Sequence, residues 1–192
     1  MKYESKIGLT GNLFETEQIG TIDTGSPEYQ KALRLAKEKE AKFGKEGGYL
    51  RFRTALELVK KFQPSDPTNP QKPFARELRI ALQDILKLET PEDYDRVKFY
   101  TAVGTPLDIF HGVDAFVEFE KENPETKKVD VYRATFDFTT NPQKQGYKSD
   151  IVVQEKDLPD PKLEADDFLE AVHRFAEKAA EKIADQEQAG KI

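Results

Sequence analysis

GVDAFVEF (residues 112–119) and VDVYRATFDFTT (residues 129–140) are two runs in which apolar and polar side chains alternate. Such alternation is typical of β-strands that bury one face and expose the other. The segment between them, EKENPETKK (residues 120–128), is polar and contains Asn123-Pro124, a sequence typical of turns. We therefore expect the two runs to pair as an antiparallel hairpin.

One register of this hairpin makes an entire face apolar, and the same register places Asp114 opposite Asp137. Facing residues have Cβ atoms about 4.5–5.5 Å apart, where like charges repel. A divalent cation or a shared proton would remove that repulsion. Glu118 then faces Arg133, and we expect a surface ion pair that contributes little to stability. The apolar face consists of Val113–Phe138, Ala115–Phe136, Val117–Ala134 and Phe119–Tyr132.

The composition describes a highly charged chain with few side chains of the types that bind zinc. Its 192 residues suit one domain, or one domain with a small appendage. The net charge of −6 gives no bulk attraction to nucleic acid, although a local basic patch could bind it. There is no cysteine and there are only two histidines, which argues against zinc and redox centres. No signal pattern or membrane-length apolar run is present, so we expect a cytoplasmic protein without a membrane partner.

Helix and strand signals divide the chain into three parts. Residues 1–25 are rich in Gly and Thr, and we expect an extended or flexible N-terminal arm. Residues 26–65 predict a helical extension, which begins with Ser26 as N-cap and Pro27 in the first turn. Residues 73–188 predict a helix, then strands, then a last helix. This order indicates an α/β (α+β) domain with one mixed or antiparallel sheet flanked by helices.

The positions of Asp114 and Asp137 resemble those of the PD-(D/E)XK, or restriction-endonuclease-like, nuclease superfamily. Its core is a helix, a three-stranded antiparallel unit, a helix and a further strand. The family has an Asp at the start of the second strand and Asp/Glu-X-Lys on the third. GVDAF matches the first element at Asp114, and FDFT matches the second carboxylate at Asp137. The family's optional helical glutamate falls at Glu77, in PFARELRIAL.

This resemblance implies a metal-dependent nuclease that hydrolyses phosphodiester bonds in DNA or RNA. Asp114 and Asp137 would hold Mg²⁺ or Mn²⁺, and Glu77 would add a ligand. The resemblance also implies a restriction-endonuclease-like fold from about residue 73 to the last helix.

The family's lysine is displaced in this chain. Its position holds Thr139. Lys144 or Lys148, in the segment that follows, would then supply the catalytic lysine that orients water or holds phosphate.

Several features have two interpretations. His111, close to Asp108 and Asp114, suits a hydrogen bond within its loop, the alternative being a ligand or base. A catalytically inactive protein of the same fold, which binds a protein partner or forms a homodimer through its N-terminal helices, is the alternative to a nuclease. For a nuclease, a local positive path would be formed by Lys60, Lys61, Lys72, Arg76, Arg79 and Lys98.

Overall fold

The structure is a computed structural model that describes residues 4–42, 48–124, 126–143 and 146–190, with side chains described from residue 11 onward. Within these ranges the chain forms helices on both faces of one sheet. The helices are α1 (Glu4–Ile19), α2 (Pro27–Ala41), α3 (Phe52–Lys61), α4 (Pro73–Ile85), α5 (Pro91–Tyr94), α6 (Pro106–His111) and α7 (Ala165–Ala189). The strands are β1 (Val97–Thr101), β2 (Ala115–Glu122), β3 (Val129–Thr139) and β4 (Ile151–Gln154).

The sheet has the strand order β1-β2-β3-β4. β1, β2 and β3 are antiparallel neighbours, and β4 runs parallel to β3. The predicted hairpin register is confirmed, because Ala115 faces Phe136 and Glu118 faces Arg133. The protein is therefore an α+β protein with a four-stranded mixed sheet flanked by helices.

Helices α4 and α7 cover the apolar face of the hairpin. Phe74 of α4 meets the rings of Phe136, Phe138 and Phe175 with centroid distances of 5.0–5.9 Å. Leu78 and the small side chains of α7 complete the same buried cluster, so both helices lie close to the sheet.

Helix α3 covers the opposite face, where Tyr100 stacks on Phe116 at 4.8 Å. Leu58 and Val59 of α3 join these rings in a second buried cluster. The sequence predicted α2 and α3 as a helical extension, and α3 is one layer of the domain's core.

The structure of the N-terminal segment differs from the predicted one. Residues 4–19 form helix α1, where we predicted an extended or flexible arm. The glycines and threonines of this segment are weak helix formers, so the sequence gives no helical signal. Tertiary contacts compensate, because Phe14 packs on Phe138 at 5.9 Å and Ile19 is buried in the main cluster.

The link between β3 and β4 differs from the core order of the superfamily that the sequence resembles. That order has a helix between the third strand and the last one. Here the described residues between Thr139 and Ile151 contain no helix, and α7 follows β4. Pro142 and Gly146, which has φ +74°, favour turns in this segment.

The outer edge of β1 is covered by a side chain. Gln63 Nε2 donates to the carbonyl oxygen of Thr101 at 2.9 Å, and Gln63 Oε1 accepts from its N–H at 2.9 Å. The N–H of Phe99 donates to the carbonyl oxygen of Pro67 at 2.9 Å. These bonds occupy backbone groups that an open edge strand would offer to another chain.

The carboxylate of Glu118 is buried, which corrects the predicted surface ion pair. Its side chain is 0% exposed and accepts from Arg133 Nε at 3.0 Å and from Lys60 Nζ at 2.6 Å. Lys60 comes from α3, so the ion pair links this helix to the middle of the sheet. The hairpin sequence alone did not reveal that α3 covers this face.

We expect Gln63→Ala to lower the free energy of unfolding by about 1–3 kcal/mol, because two edge groups of Thr101 lose their partners. Urea denaturation measures this change. Gln188→Ala, at an exposed position of α7, is the matched control and should change stability by less than about 0.5 kcal/mol. Equal effects of the two variants would contradict a specific role for Gln63.

Glu118→Gln should destabilise the protein by about 3–5 kcal/mol, because the variant leaves two cations facing a neutral buried group. Glu120→Gln is the comparison, since Glu120 pairs with Lys98 at 2.6 Å but is 29% exposed. Loss of the Glu120 charge should lower the free energy of unfolding by less than about 1 kcal/mol. Similar unfolding midpoints for both variants in urea would show that the buried ion pair of Glu118 contributes no more to stability than the partly exposed pair of Glu120.

Candidate functional site

Backbone contacts on both sides fix Asp114 at the start of β2. Its N–H donates to the carbonyl oxygen of Phe136 at 2.9 Å, although Phe136 faces Ala115 in the register. Its carbonyl oxygen accepts from the N–H of Ala102 at 2.7 Å. Its Oδ2 accepts from the N–H of Phe138 at 2.6 Å, which directs the carboxylate toward the end of β3.

Helix α6 delivers the chain to this position. Thr105 caps its N-terminus through the N–H of Leu107, and Gly112 ends it with a left-handed φ of 63°. Asp108, in the first turn of α6, accepts from the N–H of Gly104 at 2.8 Å. The sharp turn at Gly112 lets β2 begin immediately after the helix, with Asp114 close to Asp108.

The two predicted aspartates are both buried, with 5% exposure for Asp114 and 1% for Asp137. Burial, together with the negative charges of Asp108, Glu15 and Asp137, raises the pKa of Asp114 to about 9, while the Phe138 N–H acts in the opposite direction. The structure therefore brings Asp114 and Asp137 into one electrostatic neighbourhood. Asp108 and Glu15 belong to the same neighbourhood.

Glu15 was missed by the sequence analysis. It lies on α1, and no pattern in the sequence predicts that this segment packs against the sheet. The backbone of α1 passes the end of β3, since a Cβ built on Gly11 would lie 3.7 Å from Thr140 Oγ1 and 3.9 Å from Glu15 Oε1. No signal in the sequence connects Glu15 with the hairpin, because the connection depends on how α1 packs.

The structure places the candidate lysines as follows. Lys148 Nζ donates to the carbonyl oxygen of Phe110 at 3.0 Å, and its stem lies beside Gly112, two residues before Asp114. Lys144 lies outside the described residues. Thr139, at the family's lysine position, accepts from the N–H of Asn141 at 3.1 Å.

Two other candidates have structural partners. Glu77 pairs with Arg76 at 2.6 Å on the same helix. His111 Nε2 lies 2.9 Å from the carbonyl oxygen of Leu50, in the segment before α3, so its partner is distant in sequence, whereas we predicted a partner within its own loop.

Most of the predicted positive path is engaged in ion pairs. A cation that already faces a carboxylate offers less charge to a phosphate. These ion pairs are Lys60–Glu118, Arg76–Glu77, Arg79–Asp95 and Lys98–Glu120.

The donor set of the site consists of oxygens. Across the described ranges, no three acidic or histidine side chains form a group that could hold a metal ion. Mg²⁺ and similar hard cations need only one or two carboxylates, because water completes their coordination. The assignment of Asp114 and Asp137 to such a set, with Glu77 as a third ligand, stays a prediction.

We expect the free energy of unfolding to fall as pH rises in metal-free buffer. The pKa of Asp114 is about 9 in the folded protein and its ordinary value is 3.8. Between these values the folded state binds one more proton than the unfolded state, so this group contributes a loss of about 1.4 kcal/mol per pH unit.

Asp114→Asn should remove this contribution and retain the bond from Phe138, so the variant should gain stability relative to the native protein at high pH. Urea denaturation in the presence of EDTA, at pH values between about 5 and 9, measures how the free energy of unfolding changes with pH. This range lies between the ordinary pKa of Asp114 and its raised value. Asp84→Asn, on the exposed side of α4, is the control and should keep the native slope. A native slope in Asp114→Asn would contradict the burial of an acid with a raised pKa.

Comparisons with known proteins do not assign the chain to a family. The chain matches no protein-family model, no curated protein and no solved structure. None of the helices in the described part of the chain combines the length and the apolar character that crossing a bilayer requires.

Proposed function

We propose that the protein is a metal-dependent nuclease that hydrolyses phosphodiester bonds in DNA or RNA, with Asp114 and Asp137 as its central acids. The observation that carries this proposal is the burial of both carboxylates at the end of neighbouring strands, where further acids raise the pKa of Asp114. Burying like charges together is costly unless a proton or a cation joins them. Perturbed acids of this kind cluster at functional sites.

Mg²⁺ or Mn²⁺, held by Asp114 and Asp137, would supply an activated water and would stabilise the charge of the phosphoryl group. The chain's own residues orient this site. The Phe138 N–H holds one oxygen of Asp114 in place, at 2.6 Å. Asp108 and Glu15 make the surroundings negative, which favours a divalent cation and repels an anion that arrives without one.

Of the two candidate lysines, Lys148 is the one that the structure describes, and its position supports a role at a substrate phosphate. Its stem lies beside Gly112, and its ammonium lies 3.0 Å from the carbonyl oxygen of Phe110 at the end of α6. A substrate phosphate would compete for this ammonium with a neutral acceptor, which is a smaller cost than breaking an ion pair. Lys144 remains the second candidate for the lysine role.

One observation favours a second function, a catalytically inactive protein that binds a protein partner or dimerises. The family's lysine position holds Thr139, a neutral residue that is 6% exposed. This strand position therefore offers no cation. In that case Asp114 would keep its proton at neutral pH, because its pKa is about 9. The two functions then differ in their response to metal ions.

We expect cleavage of labelled single- or double-stranded DNA or RNA in Mg²⁺ or Mn²⁺, and a loss of about 100-fold or more in Asp114→Asn and in Asp137→Asn. Asp84→Asn, purified in the same way, should retain full activity and thereby exclude a contaminating nuclease. Lys148→Met and Lys144→Met identify which lysine takes part.

Thermal unfolding separates the two functions. A metal that binds only the folded protein raises the melting temperature of the native protein, and neither aspartate variant should respond. No cleavage of any substrate, combined with identical melting of all variants with and without metal, would reject the nuclease and favour the binding protein.

A further inference from the structure

Four aromatic residues form a continuous group of rings where the start of α3 meets α6, and we call them the ring cluster. Tyr49 lies 5.5 Å from the rings of Phe110 and His111, and Phe52 lies 5.4 Å from His111. Neighbouring rings are inclined by 54–86°, so they meet at an angle instead of stacking face to face. Phe52 is 37% exposed, and the adjoining Ile109 is 66% exposed. A contiguous apolar surface of this kind indicates a binding site.

The ring cluster adjoins the acids of the proposed nuclease site. Phe110 and His111 end α6, and Asp114 lies three residues beyond His111. Lys148 connects the two places, because its Nζ donates to the carbonyl oxygen of Phe110 at 3.0 Å and its stem lies beside Gly112. A strand of nucleic acid on the rings would therefore lead past Lys148 toward Asp114.

Two exposed lysines flank the ring cluster. Lys37 of α2 lies beside Tyr49 in the chain, since its Nζ is 3.4 Å from the position that a Cβ on Gly48 would take. Lys148 lies at Phe110. Both lysine side chains are exposed, so their ammonium groups can face a phosphate.

Two arginines flank Phe52 in the sequence. The side chain of Arg53 is 90% exposed, and its ion pair with the exposed Glu57, at 3.3 Å, is of a kind that contributes little. A phosphate can compete for this guanidinium. Arg51 is 51% exposed and pairs with the buried Glu40 at 2.7 Å. Together with the lysines, these side chains supply the local positive charge that a chain of net charge −6 needs in order to bind a polyanion.

We propose that the ring cluster binds the bases of single-stranded nucleic acid and directs a single strand to the acids. The role in cleavage rests on the proposed nuclease function, whereas base binding depends on the rings. Bases stack on aromatic side chains when they are unpaired, and cations beside the rings face the phosphates between them. In a duplex the faces of the bases are covered by neighbouring base pairs, so the same surface discriminates against double strands.

Fluorescence anisotropy with a short fluorescein-labelled oligothymidylate measures this binding. EDTA in the buffer prevents metal-dependent cleavage during the titration. The native protein should bind the oligothymidylate about ten-fold or more tightly than a duplex of the same length. It should show the same preference over an oligomer of abasic tetrahydrofuran units, which keeps the phosphates and lacks the bases.

Phe52→Trp reports stacking directly, because the chain contains no tryptophan. Its fluorescence should be quenched by the oligothymidylate and should not respond to the abasic oligomer. Val131→Trp, at a 45% exposed position of β3 toward the hairpin turn, is the control and should respond to neither.

Phe52→Ala should weaken binding of the oligothymidylate about ten-fold and leave duplex binding unchanged. Leu35→Ala, at a 55% exposed position of α2, is the control for loss of apolar surface and should keep the native affinity. Lys37→Met should lower the slope of log K against log salt by about 0.7, whereas Lys31→Met, at an exposed position of the same helix, should not change it.

Equal affinity of the native protein for the three oligomers would overturn the proposal, as would unchanged affinity in Phe52→Ala. Cleavage is measured separately. Binding of single strands through Phe52 without cleavage in Mg²⁺ or Mn²⁺ would reject the nuclease and retain the base-binding surface. Cleavage of single strands and duplexes at equal rates, with unchanged affinity in Phe52→Ala, would retain the nuclease and reject the role of the ring cluster.

Discussion

The pairing of β2 with β3 is the constraint on which the rest of the structure depends. Because alternate side chains point to opposite faces, the register in which Ala115 faces Phe136 commits every residue of both strands to one layer or the other. The apolar face receives α4 and α7, and the opposite face receives α3. A slip by one residue would move Phe136 to the side of α3 and place Thr135 and Asp137 under α4 and α7, so the hydrophobic pattern favours the observed register. The buried position of Asp137 follows from the same choice.

Local patterns in the sequence were sufficient for this hairpin and for most helices, because strand alternation and helix caps are encoded within a few residues. Ser26 and Thr90 accept capping bonds at helix starts that their sequence patterns indicate, whereas α6, which Thr105 caps, was not predicted. The sequence was insufficient where long-range packing decides. Helix α1 contains glycines and no clear apolar stripe, and it is fixed by Phe14 against Phe138. The Asp114–Asp137 neighbourhood was foreseen from the register, whereas the contribution of Glu15 requires the placement of α1.

Helix α1 is the element that sequence reasoning described worst, and it contributes Glu15 to the surroundings of Asp114. Phe14 packs on β3, Glu15 raises the pKa of Asp114, and Gln18 lines a cavity beside the N-terminus of α4. These residues lie within one and a half turns of one helix, so the packing of Phe14 on Phe138 also positions Glu15 close to Asp114.

The buried carboxylates of this protein have two different kinds of surroundings. Glu118 accepts from Arg133 and Lys60, and Glu40 accepts from Arg51 at 2.7 Å, so in both cases a cation from a neighbouring element offsets the cost of burial. For Asp114, burial and the charges of Asp108, Glu15 and Asp137 all act against ionisation. A fold that elsewhere matches buried acids with cations gains nothing in stability from this arrangement. Sites that break the local rules of stability are where function is expected, and this contrast supports the assignment of chemistry to Asp114 rather than to Glu118.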